Sequence, residues 1–146
     1  MATLTQTGAG TGQGHASSGG VPKVYAQSTV IDGTSTALTS GDVYQAINVP
    51  ANSVVLSAGI DVITAGTGTG TLALGDGTVT YVAAATQSAG QMTSGDALAE
   101  LAVTYAAADT LDVTVGTADV NSKVRVWALI ADIDGMGDTE SGDTFA

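Results

Sequence analysis

The sequence predicts an all-β fold, a single antiparallel β-sandwich of about eight strands, with jelly-roll and immunoglobulin-like connections both open. Three observations lead there. Short β-branched runs recur between turn residues at intervals of about ten residues. No stretch carries the 3.6-residue apolar period of a long amphipathic helix. Finally, at 146 residues without a cysteine, the chain is long enough to bury one core without covalent staples.

Taken in order, residues 1–20 are rich in Gly, Ser and Thr, with Met1 and Leu4 as the larger apolar groups. Such a composition buries too little to offset the entropy of ordering, so a flexible arm is expected. The sandwich is expected over 21–133. Its first run, "VPKVYAQSTVI", ends at Asp32-Gly33. "DVYQAINV" follows, then a turn at "PAN", where Pro50 fixes φ and Asn52 tolerates unusual backbone angles. In "SVVLSAGIDVI" strict alternation places Val54, Leu56, Ala58, Ile60 and Val62 on the core face and Val55, Ser57, Gly59, Asp61 and Ile63 outside.

"AGTGTG" (65–70) reads as a connection, and "TLALGDGTVTYV" as a hairpin closed at Gly75-Asp76-Gly77. "AAATQSAGQMTSGD" reads as a polar loop. "ALAELAVTY" has helical composition, but its short span before "AADTLDVTV" favours a strand pair. Leu111, Val113 and Val115 should face inward, with Asp112 and Thr114 outward. The last run, "SKVRVWALIAD", should turn Val124, Val126, Ala128 and Ile130 to the core. Residues 134–146 form an acidic, glycine-rich tail.

Composition excludes several function classes. The net charge is −11, and three bases face fourteen acids. Lys23, Lys123 and Arg125 cannot supply the cationic contacts that nucleic acid or an anionic membrane requires, so neither is an expected partner. The N-terminal residues lack the basic and apolar regions of a secretory signal, and no run is apolar enough to span a bilayer. Charged residues make up 12% of the chain, about half the usual share. Surfaces of Thr, Ser, Ala and Gly surrender little solvation or rotamer entropy at a contact, so this composition favours assembly.

No catalytic set is legible and no cofactor is expected. His15, the one histidine, lies in the arm, where base-and-orienter geometry cannot be held. Asp32, Asp42, Asp76, Asp96, Asp109 and Asp119 sit singly at turns and strand ends, as turn formers that bond nearby amides. Asp132, Asp134, Gly137, Asp138 and Asp143 fall in a calcium-loop register, but Met136 occupies a ligand position and the flanks are not helical. "GAGTGQG" and "GTGTG" lack the Gly-Lys-Ser/Thr or βαβ context of phosphate loops. Tyr25, Tyr44, Tyr81 and Tyr105 are expected to pack with one polar tip in water; the other reading is a sugar-stacking set. The row Lys123, Arg125, Trp127 and Leu129 is the leading interaction candidate, since it gathers two bases and the single tryptophan on the outward face of one strand.

"SGDVYQAINVPANSVVLSAGIDVITAGTGTGTLALGDG", "YAAADTLDVTV" and "KVRVWALIADI" together resemble small virion structural proteins of tailed bacteriophages, over approximately residues 40–133. The shared features are the "VPAN" turn, the "GDG" hairpin and the closing "RVWALIAD" strand. The resemblance implies a β-sandwich with jelly-roll-like connections that serves as a decoration or cement protein on the capsid surface of a virion assembled in the host cytoplasm. It also implies the major capsid protein as partner, a homo-oligomer, often a trimer, and no enzymatic activity. The alternative function is a tail-fibre or receptor-binding module for host-surface glycans.

Overall fold

The computed structural model describes residues 23–88, 92–94 and 102–133. The expected arm at 1–20, His15, Asp96, the acidic tail and all of the calcium register except Asp132 lie outside the described residues.

Nine strands are present among them: β1 (Lys23–Asp32), β2 (Val43–Val49), β3 (Ser53–Thr64), β4 (Thr71–Gly75), β5 (Thr80–Ala85), β6 (Met92–Ser94), β7 (Val103–Tyr105), β8 (Asp109–Gly116) and β9 (Lys123–Asp132). They form two antiparallel sheets. One runs β1-β9-β3-β6, with β7 also paired to β3; the other runs β2-β8-β4-β5. The chain is thus the all-β sandwich that its alternating runs predict. The pairings nest: β1 lies against β9, β2 against β8, β3 against β7 and β4 against β5, as if one long hairpin had been wound around itself.

The core is the space between the inner faces. Val124, Val126, Ala128 and Ile130 of β9 meet Leu111, Val113 and Val115 of β8, with Leu72 and Leu74 of β4 and Ile47 and Val49 of β2 completing it. Burying such side chains contributes roughly 1.5–3 kcal/mol each, and alternation along β8 and β9 delivers them to one side. Leu38 and Val120 close one end through an isolated bridge.

Three expectations are corrected. In β3, Val55 rather than Val54 or Leu56 is fully buried. Pairing passes from Val55↔Ile130 to Ser57↔Leu129, leaving Leu56 as an extra residue. This bulge reverses the alternation at the strand's start, so that Ala58, Ile60 and Val62 continue inward as expected. Next, the polar loop contains β6, whose residues Met92–Ser94 pair with Gly59–Asp61. Finally, β7 does not pair with β8; it crosses to β3 in the other sheet.

The turns behave as their residues dictate. Asn52 takes a φ of 55°, a left-handed conformation its short polar side chain tolerates. At the β4–β5 turn Gly77 has a φ of +87°, and the Asp76 carboxylate accepts the amides of Thr78 and Val79 at 2.7 and 2.6 Å.

Candidate interaction face

Because β9 lies between β1 and β3 and turns its even-numbered residues to the core, Lys123, Arg125, Trp127 and Leu129 emerge together on the outside of the sheet. Their cross-strand neighbours set the surface. Trp127 stands between Ser28 of β1 and Gly59 of β3, and Leu129 between Ala26 and Ser57. Small residues on both sides leave the indole and the leucine as the relief of the face. Trp127 is half-buried, and its indole Nε1 is shielded from water without a hydrogen-bond partner. Such an unpaired donor costs about 1–3 kcal/mol.

The two bases form no free cationic patch. Lys123 Nζ lies 3.0 Å from Asp32 Oδ2, and Arg125 lies 3.5 Å from Asp61 Oδ2. Both pairs are solvent-accessible, so they contribute little to stability, but they leave the face close to neutral. The Asp32 carboxyl is held down to about 2, first by the side-chain and backbone hydrogen bonds of Thr34 and then by Lys123. Val24 and Val30 of β1 continue this face and are 57% and 48% exposed. Nothing in the residue types marks those valines as outward; only the register against β9 does.

The other candidates resolve into structural roles. Tyr81 and Tyr105 are buried tip included, with hydroxyls 3.0 Å apart, and Tyr105 donates to Asp76 Oδ2 at 2.5 Å. Their polar tips are therefore not in water as expected. Tyr25 and Tyr44 pack half-buried against the core. No row of exposed aromatic rings is left among the described residues for sugar stacking. Asp32 and Asp76 bond amides two or three residues on, as turn formers. Asp119 instead reaches the distant Ser40 amide at 2.8 Å.

The glycine-rich connection is filled rather than open. Gln87, itself buried, accepts from the Asn121 amide at 3.0 Å and donates to the Gly70 carbonyl at 3.2 Å. Asn121 Oδ1 accepts the Thr67 amide at 2.9 Å. A Cβ at Gly66 would overlap the Gln87 Oε1 atom, so this loop holds a side chain where a phosphate cradle would need space. Among the described residues no group of three His, Cys, Asp or Glu could hold a metal ion.

No family model matches the chain, and no curated protein matches it. Three solved structures are similar. A chain in the capsid of Ralstonia phage GP4 superposes with a TM-score of 0.57 at 18% identity, over 75% of this chain and 84% of that one. The cyanophage Pam1 capsid asymmetric unit contains one at TM-score 0.52 and 27% identity, over 75% and 84%. The acidic stable capsid of Helicobacter pylori bacteriophage KHP30 contains another at 0.52 and 15%, over 74% and 86%. The sandwich has the fold of chains in phage capsids. In each case the similarity spans most of both chains.

Proposed function

We propose that this protein is a non-enzymatic virion structural component, a decoration or cement protein that lies on the phage head and bridges subunits of the major capsid protein. The observation that carries the reading is the fold shared, over most of both chains, with chains of three phage capsids. The nested strand pairing supports reading the sandwich as a jelly roll. The face around Trp127 supports attachment through a sheet surface. Its charges are matched within the chain, so a neighbour can cover it without stranding an unpaired ion. In this reading Lys123, Arg125, Trp127 and Leu129 make the contact, and many weak copies around a shell supply avidity.

The test is copy number per purified virion, measured by quantitative mass spectrometry against the major capsid protein. Hundreds of copies in a simple ratio to that protein are expected. A handful of copies would favour the tail-fibre reading, and absence from the particle would overturn both.

A further inference from the structure

Strand edges present unpaired backbone donors and acceptors, and folded proteins blunt them by shortness, bulges, proline or charge. Three of the four sheet edges among the described residues are blunted. The far edge of the first sheet consists of β6 and β7, three residues each. In the second sheet, β2 is broken by a bulge at Ala46, and β5 slips its register twice against β4. β1 is long, has no bulge or proline, and carries charge only at its two end residues, Lys23 and Asp32. It runs for ten residues and pairs with β9 without a register break from Lys23↔Asp132 to Asp32↔Lys123. No proline lies within it, and the eight residues from Val24 to Ile31 carry no charge. Seven of its ten residues are exposed.

We propose that the edge of β1, which pairs with no strand among the described residues beyond β9, joins a second copy of this chain, strand to strand and antiparallel, about a two-fold axis through Gln27. Such an axis crosses the sheet at right angles and keeps the outer faces on one side, so only registers that oppose residues of like face are allowed. Among these, centring on Gln27 sets Val24 opposite the partner's Val30, twice over, and Ala26 opposite the partner's Ser28. The two large apolar side chains that β1 leaves exposed, Val24 and Val30, lie three residues either side of that centre. Each would then cover the other across the new ladder, and backbone pairing would supply the affinity as in other strand-addition contacts. The two sheets would fuse into one continuous layer with the Trp127 faces side by side. With a net charge of −11 per chain, the copies repel at long range, so screening by salt should strengthen the association.

This inference does not rest on the virion reading, since it is tested on the purified full chain alone. The chain has no cysteine, so introduced ones report without background. Opposed strand residues sit about 4.5–5.5 Å apart between Cα atoms, within disulfide reach. A mixture of Val24→Cys and Val30→Cys proteins is expected to cross-link under mild oxidant while neither does alone, because like positions would be about 20 Å apart. In analytical ultracentrifugation the wild type should dimerise more strongly as salt is raised, and Ser28→Lys, an exposed change, should weaken the dimer at least tenfold. A monomer at every concentration overturns the proposal, as does an oligomer indifferent to Ser28→Lys. A dimer weakened by the lysine but without mixed cross-links overturns the Gln27 register.

Discussion

The hydroxyl of Tyr105 joins the two sheets at one point. It stands at the end of β7 and donates to Asp76 on the β4–β5 turn, while the Tyr81 hydroxyl of β5, 3.0 Å away, donates to it in turn. Burial raises the Tyr105 phenol far above its usual range, and the hydrogen bond to Asp76 adds to this. For Asp76, burial pushes the carboxyl up, but the bonds from Tyr105 and from the turn amides outweigh it and leave the group below its ordinary 3.8. Tyr105→Phe removes the donor from a carboxylate and the acceptor from a buried phenol, so we expect a loss of about 1–3 kcal/mol in urea unfolding at neutral pH. Because the folded-state value of Asp76 is depressed, its contribution is complete above the unfolded value and disappears as pH falls through the folded one. The gap between wild type and Tyr105→Phe should therefore narrow as the pH falls from 5 toward about 2. A gap that widens in acid would show that Asp76 is not the partner that matters.

At the scale of elements, the 65–70 connection is held by a side chain from outside the two strands it joins. Gln87 reaches into it and is fixed by the Asn121 amide and the Gly70 carbonyl. Gly66→Ala places a methyl group against Gln87 Oε1 and Asn121 Oδ1, and we expect it to lower stability by roughly 1–3 kcal/mol, as overpacking does. An unchanged urea midpoint would mean that Gln87 moves aside freely and clamps nothing. The same loop marks the limit of sequence reasoning. Gly66 and Gly70 are legible as turn glycines, but the residue that fills the loop comes from a stretch that reads only as polar. Likewise β8 and β9 are read correctly down to each side chain, because nothing interrupts their alternation. β3 is misread at its start because an inserted Leu56 leaves no mark when valines occupy both faces. β6 is three residues, too short for any period to register, and β7 is legible as a strand but not its partner, which lies far along the chain in β3.

For the whole molecule, the proposed attachment is tested on the outer face of the β1-β9-β3 sheet. The row of Lys123, Arg125, Trp127 and Leu129 was legible from alternation alone. The acids that neutralise it, Asp32 and Asp61, come from two other strands and needed the register. Trp127 is the only tryptophan, so its emission reports directly on this face. Attachment to capsids lacking the protein should shift that emission to the blue, and Trp127→Ala should weaken attachment at least tenfold, as a central aromatic contact does. Unshifted emission on fully loaded particles would move the contact to another surface. Trp127→Phe removes the unpaired Nε1–H but also part of the half-buried ring, two opposing effects that should leave stability within about 1 kcal/mol of wild type.

The pairing of β1 with β9 has a mechanical side. Lys23, where β1 begins, lies opposite Asp132, where β9 ends, so the chain enters and leaves the sandwich at one corner. Tension applied between those two points would peel the ladder open one rung at a time, the direction in which hydrogen-bonded strands resist least. Tension arriving along a neighbour's strand would instead load every rung of β1 together, in shear. In the proposed virion role a shell under outward pressure stretches its surface laterally, so a protein anchored by its strands and sheet face would be strong in the direction of that load and weak where Lys23 and Asp132 are pulled apart.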